Sequence, residues 1–89
     1  MSTFTLPAEL TIAYAAQTRE ALLQALADGC NEFDAQKVES IDTSGVQLLL
    51  ALQRSLQANQ MALTLSAPSV VVLDALRLYG LGDLLNPSH

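Results

Sequence analysis

Three polar residues and a glycine follow one another between two apolar stretches of the chain: Asp42, Thr43, Ser44 and Gly45. They supply one carboxylate and two neighbouring hydroxyls. A serine or threonine hydroxyl can accept a phosphoryl group, and a hydroxyl beside a carboxylate is also a simple pairing of nucleophile and base. These four residues are therefore the candidate functional site, and phosphorylation and catalysis are the two chemistries to be compared.

The same residues could also simply begin a helix. With Ser44 as the N-cap, the spacing from Ser44 to Gln47 fits a capping box, and Asp42 could accept hydrogen bonds from the same free amides. Gly45 would allow close packing. Helix capping thus accounts for Ser44 and Gly45 and in part for Asp42, but it does not require Thr43.

A helix start also favours a phosphate group, because its free amides and the positive end of the helix dipole face the anion. Phosphorylation of Thr43, or alternatively of Ser44, would add about −1.5 to −2 charges at pH 7. The Asp42 carboxylate would repel the added charge, but solvent screens that repulsion at an exposed site. We therefore expect phosphorylation to change the surface that a partner meets, and not the fold.

We do not expect catalysis, because the chain offers few of the groups that catalysis needs. Its only histidine is His89 and its only cysteine is Cys30, so a Ser/His/Asp or Cys/His arrangement is not available. The sequence has no Gly-rich phosphate-binding loop, and an ordinary carboxylate such as Asp42 is a weak base toward a hydroxyl. We expect no enzymatic activity, no metal site and no cofactor.

The overall charge argues against nucleic-acid and membrane partners. Nine Asp and Glu residues face four Lys and Arg residues, a formal net charge of −5, and the four cations are scattered. Phosphate backbones and anionic lipid surfaces would both repel such a chain. The longest uncharged stretch, residues 55–73, contains too many polar residues to insert into a bilayer, and the first ten residues do not resemble a signal peptide. We expect a cytoplasmic protein.

The hydrophobic pattern predicts one domain over residues 1–89, which is an ordinary length for a single domain. Strands alternate with helices along the chain, and this order predicts an α/β fold with a mainly parallel sheet and crossover helices. The predicted strands lie in residues 3–12 (an edge strand or two short pieces), 31–41 and 61–65. The predicted helices cover residues 14–28, 44–59 and 68–79, with a last turn at 83–86. Asp42 to Gly45 thus fall at a turn from strand to helix, where α/β folds usually place their functional residues.

These four residues resemble the Asp-Ser/Thr-Ser-Gly signature of the STAS domains, a family that includes the bacterial anti-sigma-factor antagonists. The resemblance includes the flanking segments 38–41 and 46–50 and extends over nearly the whole chain, from residues 6–10 through 33–34 to the last helix. It implies a single STAS domain with a four- to five-stranded mixed, mainly parallel sheet and helices packed mainly on one face.

The resemblance also implies regulation by protein binding. In the family, the residue after the motif aspartate is phosphorylated by a partner serine kinase of the histidine-kinase-like ATPase fold, which doubles as an anti-sigma factor. By position, Thr43 would be the acceptor here. The resemblance places partner binding on the motif and the first turns of its helix: Asp42, Thr43, Ser44, Gly45, Gln47 and Leu48.

Thr43 stands where the commonest form of the motif has serine, and this leaves three pathways open. Related domains with threonine there include the STAS subunit of a phospholipid-trafficking ABC transporter and STAS proteins found near chemotaxis genes. The partner is therefore a kinase and anti-sigma factor, a transporter ATPase or a component of a chemotaxis-type pathway. Leu48 and Leu52 likewise have two interpretations, either as a patch that faces the partner or as residues that pack against a neighbouring element.

Overall fold

The computed structural model describes residues 3–82. In chain order, the strands are β1 (Thr3–Thr5), β2 (Glu9–Leu10), β3 (Glu32–Asp34), β4 (Ser40–Ile41) and β5 (Thr64–Ser66). The α-helices are α1 (Ala15–Ala27), α2 (Thr43–Ala58) and α3 (Val70–Leu78), and a single 3-10 turn at Ile12–Tyr14 leads into α1. The α/β class expected from the sequence is confirmed.

Three of the strands form a parallel sheet in the order β1-β3-β5. The register places Phe4 beside Phe33 and Phe33 beside Leu65, so that one apolar row crosses the sheet. Phe33 is fully buried, and its ring centroid lies 5.9 Å from that of Phe4. The alternate positions are polar: Thr3, Thr5, Glu32, Asp34, Thr64 and Ser66. Because successive side chains of a strand point to opposite faces, one face of the sheet is apolar and the other polar, as one-sided packing requires.

The other two strands form a separate two-stranded parallel sheet. Glu9 pairs with Ser40 and Leu10 with Ile41, and the Asp42 backbone N–H continues the ladder by donating to the Leu10 carbonyl oxygen at 3.2 Å. The strands therefore divide into sheets of three and two, and every pairing among the described residues is parallel. The small β2–β4 sheet is the part of the fold that ends directly at α2.

The core lies between the helices and the sheets. Helix α2 buries residues at helical spacing (Gly45, Val46, Leu49, Leu52 and Leu56), and it packs against α1 as well as against β2 and β4. Helix α3 packs against β4 and buries Val72 and Leu76 completely. Both sheets and all three helices contribute to a single core, so the start of α2 is held by the whole domain.

Most predicted elements are confirmed, with shifts at their ends. Residues 3–12 form two short strands, and the predicted strand of 31–41 is in fact β3 and β4. Gly29 ends α1 with a φ of 86°, as the pattern predicts. Leu23 of α1 is half exposed. The prediction that Pro68 lies in the first helical turn is wrong, because Ser69 caps α3 by accepting from Val72 N–H. The turn predicted at residues 83–86 lies outside the described residues.

Candidate functional site

The candidate site lies where β2 and β4 end side by side. The two strands are parallel, so their carboxyl ends meet at the same edge of the small sheet. After β2, the chain enters the 3-10 turn at Ile12–Tyr14, and after β4 it enters α2 with Asp42 as the N-cap. The 3-10 turn and the start of α2 therefore lie next to each other.

Asp42 joins these two segments with its carboxylate. Its Oδ1 accepts from the Gly45 backbone N–H at 3.2 Å and so caps α2, while its Oδ2 accepts from the Ile12 backbone N–H at 3.0 Å. Asp42 has extended backbone angles, φ −121° and ψ −171°, as an N-cap residue should. The prediction that Ser44 is the N-cap is wrong, because the helix begins at Thr43, two residues earlier than an N-cap at Ser44 would allow. Asp42 is the N-cap because its two carboxylate oxygens can accept hydrogen bonds from two amides at once.

These hydrogen bonds hold the pKa of Asp42 below its ordinary value. The backbone N–H of Ile12 makes the largest contribution, desolvation acts in the opposite direction, and the amides of Gly45 and Ser44 add to the lowering. Hydrogen bonds donated to a carboxylate favour its charged form. Asp42 therefore stays ionised at neutral pH, which makes it a stable cap and an unsuitable proton acceptor for the neighbouring hydroxyl.

Thr43 is the first residue of α2, and its side chain is exposed. Its Oγ1 lies 2.8 Å from the phenolic oxygen of Tyr79, a hydrogen bond between residues 36 positions apart in which either hydroxyl can donate. Thr43 takes no part in the capping by Asp42. The hydroxyl is thus on the surface, at a helix start, and in contact with the end of α3.

Gly45 is buried, and a side chain at this position has no space. A Cβ built on Gly45 would overlap the carbonyl oxygen of Leu10 and would lie 2.8 Å from both Ile41 Cγ1 and Leu10 Cβ. The close packing expected of Gly45 is confirmed, and β2 is the strand that imposes it. Since Gly45 is buried, it serves the site by letting α2 begin against β2.

The remaining residues assigned to the site face different directions. Ser44 is half-buried beside Thr43, and Gln47 is exposed about one turn further along α2. Leu48 is half-buried and packs against the core, on the side of α2 that faces α1, where it lines a groove of about 160 Å³. Leu52 is buried. Thr43, Ser44 and Gln47 are therefore the members of the set nearest to a common exposed surface.

Two residues at the site were not identified from the sequence. Ile12 donates its backbone N–H to Asp42 and leaves its side chain 73% exposed. Tyr79 contacts the Thr43 hydroxyl, and its side chain is 46% exposed. A large apolar side chain that is mostly exposed beside the motif would indicate a binding surface. The exposure of a side chain, however, cannot be read from a single sequence.

Two further properties of the described chain bear on its function. Within residues 3–82, no group of three or more His, Cys, Asp or Glu side chains lies close enough together to hold a metal ion. Among the same residues, no helix combines the length and the apolar character needed to cross a lipid bilayer.

Comparison with known proteins identifies the family. A STAS family model described as "Mlab, STAS domain" matches residues 2–86, and this covers the two sheets, the three helices and the candidate site. The chain belongs to the STAS domain family. No curated protein and no solved structure matches the chain. Membership of this family supports a general role in protein–protein interaction, of the kind that anti-sigma-factor antagonists perform.

Proposed function

We propose that the protein is a binding module whose affinity for a protein partner is switched by phosphorylation of Thr43, with Ser44 as the alternative acceptor. The observation that carries the proposal is the exposed Thr43 hydroxyl at the first residue of α2. Asp42 performs the capping through Gly45. Thr43 therefore has no capping role at the one position where the family motif carries its acceptor.

The electrostatics at the helix start are compatible with a phosphate that leaves the fold intact. The helix end stabilises an anion by about 0.3–1 kcal/mol per charge. The Asp42 carboxylate repels the added negative charge. Solvent lowers that repulsion at an exposed position. Because solvent screens the repulsion, we expect the fold to stay intact and the modification to change the surface that a partner meets.

The surface around Thr43 is suited to a protein partner. Ile12 and Tyr79 each form a hydrogen bond with a motif residue, and their exposed side chains add apolar area next to its polar residues. Ser44 and Gln47 extend the surface along α2. Gly45 and Leu48 support the surface from within, since Gly45 is buried and Leu48 is half-buried against the core.

The partner we favour is a serine/threonine kinase of the histidine-kinase-like ATPase fold that also acts as an anti-sigma factor. In the reaction, the Thr43 Oγ1 attacks the γ-phosphorus of a nucleoside triphosphate. The O–P bond to Thr43 forms, the bond to the nucleoside diphosphate breaks, and the hydroxyl proton passes to a base of the kinase. Asp42 does not serve as that base, because the hydrogen bonds from Ile12 and Gly45 hold its pKa below the ordinary value and so weaken it as a proton acceptor.

A second candidate is a subunit of a phospholipid-trafficking ABC transporter that binds the transporter's ATPase. The observation in its favour is threonine at the acceptor position, which STAS subunits of that type also carry. A role in a chemotaxis-type pathway shares this argument. All three alternatives assign the chain a binding role and not a catalytic one.

The experiment that tests the proposal is incubation with ATP and the cognate serine/threonine kinase, followed by mass spectrometry of the modified peptide. We expect one phosphate on Thr43 and none on a Thr43→Val variant. A phosphate on another residue, with Thr43→Val modified as well as the parent protein, would contradict the proposed acceptor. Tight binding to a transporter ATPase with no phosphate transfer would favour the second candidate.

A further inference from the structure

The hydrogen bond between Thr43 and Tyr79 joins the candidate acceptor to the end of a different helix. The oxygen atoms are 2.8 Å apart and the residues are 36 positions apart in sequence. Helix capping does not need this contact, because Asp42 already caps α2. Its position at the candidate acceptor hydroxyl therefore calls for a separate explanation.

Tyr79 is held firmly enough to act as a defined partner for that hydroxyl. It is the C-cap of α3 and donates its backbone N–H to Ala75 at 3.1 Å. Gly80 then turns the chain with a φ of 70°, and the Leu81 N–H returns to the Leu76 carbonyl at 2.7 Å. Leu81 packs against the core. The Tyr79 phenol thus projects from a helix end whose backbone is held by hydrogen bonds at Tyr79 and at Leu81.

Phosphorylation must change this contact, because of the chemistry of the Thr43 oxygen. In the unmodified protein, the Thr43 Oγ1 and the Tyr79 hydroxyl can each donate or accept. Once Oγ1 carries a phosphoryl group it has no proton to donate, and it has become a weakly accepting ester oxygen. The added group is also bulky and carries about −1.5 to −2 charges.

We propose that Tyr79 is a positioning residue of the switch: it holds the Thr43 hydroxyl in the unmodified state and is released when Thr43 is phosphorylated. The end of α3 then becomes looser in the modified protein, so that the modification alters a second stretch of the partner-facing surface. This inference rests on the proposed function, but the contact itself can be tested without a kinase.

The test uses protein with phosphothreonine installed at position 43, compared with the unmodified protein and with Thr43→Val, which removes the hydroxyl at nearly constant shape. Carbon-13 NMR of ring-labelled tyrosine reports the phenol of Tyr79, and Tyr79→Phe assigns its resonance. Tyr14 serves as an internal reference. We expect Thr43→Val and phosphothreonine both to shift the Tyr79 resonance and to leave that of Tyr14 unchanged.

Amide hydrogen exchange supplies the second measurement. The Leu81 amide should exchange about two- to tenfold faster in the phosphorylated protein, which is the factor expected for the loss of one neutral hydrogen bond. Tyr79→Phe and Thr43→Val should each produce a similar increase, and the double variant should add nothing, because both changes remove the same bond.

Three results would overturn the inference. A Tyr79 resonance that does not move in Thr43→Val would show that the bond is not made in solution. An unchanged exchange rate of the Leu81 amide in the phosphorylated protein would show that the Tyr79 hydroxyl now donates to a phosphate oxygen and is not released. Additive effects in the double variant would show that the residues act independently. None of these results bears on whether a kinase modifies Thr43, so the proposed function is tested separately.

Discussion

At the scale of single residues, the neighbouring residues of the motif have different roles, although they look interchangeable in the sequence. Asp42 caps α2 and fastens the turn after β2, since its two carboxylate oxygens accept from two different segments. Gly45 contributes the absence of a side chain. Thr43 alone presents a functional group to the surface without a capping role. Asp42 and Gly45 fix the position of the Thr43 hydroxyl. The polar residues of the motif are therefore not interchangeable.

The depressed pKa of Asp42 predicts a pH dependence of stability. Its folded-state pKa is lower than in the unfolded chain, chiefly because of the Ile12 amide. The stabilisation is therefore present above the unfolded-state pKa and is lost as the pH falls through the folded-state value. We expect the difference in unfolding free energy between the parent protein and Asp42→Asn to be constant near pH 7 and to shrink as the pH falls below the ordinary pKa of an aspartate. Urea denaturation across that range measures it, and a constant difference would contradict the assignment.

A fixed charge at position 43 should weaken partner binding without unfolding the protein. We expect Thr43→Glu to weaken the affinity by about 2–3 kcal/mol, because the new carboxylate would be repelled or left unpaired in the interface. The melting temperature should hardly change, since the Thr43 side chain is exposed.

The matched control for this prediction is Gln57→Glu, which adds the same charge at an exposed position near the other end of α2. Titration calorimetry with the purified partner should show normal affinity for the control. A large loss of stability in Thr43→Glu, with unchanged affinity, would instead indicate that Thr43 only helps to begin the helix.

At the scale of elements, the site is a junction between a strand pair and two helices. Strands β2 and β4 end at the same edge, α2 begins against β2 at Gly45, and the end of α3 reaches the motif through Tyr79. Helix α3 reaches this place because it packs on β4, the strand that leads directly into α2. The distance between β2 and the start of α2 therefore determines how the motif residues are placed on the candidate binding surface.

Gly45→Ala tests that junction. The new methyl group would overlap the backbone oxygen of Leu10, and a backbone atom cannot move aside as a flexible side chain can. We expect a loss of about 3 kcal/mol or more in unfolding free energy. Gly82→Ala is the matched control, because a Cβ there meets no atom within 4 Å, and it should change stability by less than about 0.5 kcal/mol. Equal melting temperatures for the two variants would refute the close approach of α2 to β2.

The helices and the motif could be predicted from the sequence, and the contacts between distant residues could not. The apolar spacing of α2 and the turn at Gly29 follow local rules, whereas the lack of space at Gly45 comes from the Leu10 carbonyl of the distant strand β2. The N-cap was placed at Ser44 instead of Asp42 because both types are good caps, and only the amide of Ile12, 30 residues away, decides between them. Tyr79 was missed for the same reason, since no local pattern relates it to Thr43.

At the scale of the whole molecule, one small core supports every part of the site. Both sheets and the three helices meet in it, and a domain of this size is stable by only about 0.05–0.15 kcal/mol per residue. A single core contact is therefore a large part of the total stability. A substitution that weakens the core far from Thr43 should therefore also alter the structure of the motif.

Leu76→Ala measures that dependence. Leu76 is fully buried in α3, and its carbonyl accepts the hydrogen bond that closes the end of the helix beside Tyr79. We expect a loss of about 2–5 kcal/mol in unfolding free energy, together with a change in the Tyr79 resonance at temperatures where the variant is still folded. Leu78→Ala, on the same helix but 81% exposed, should change neither. A Tyr79 resonance unaffected by Leu76→Ala would mean that the core does not position the phenol.

The distance along the chain between Thr43 and Tyr79 has a consequence for the newly made protein. A ribosome adds about 5–20 residues per second and releases the N-terminal segments first, so the Asp-Thr-Ser-Gly turn emerges well before the tyrosine that completes its surroundings, 36 residues later. Until then, α3 has not formed and β4 lacks the helix that covers it. A kinase or receptor that requires both segments would not bind nascent or truncated chains that lack α3. Binding would therefore select chains whose translation has passed α3.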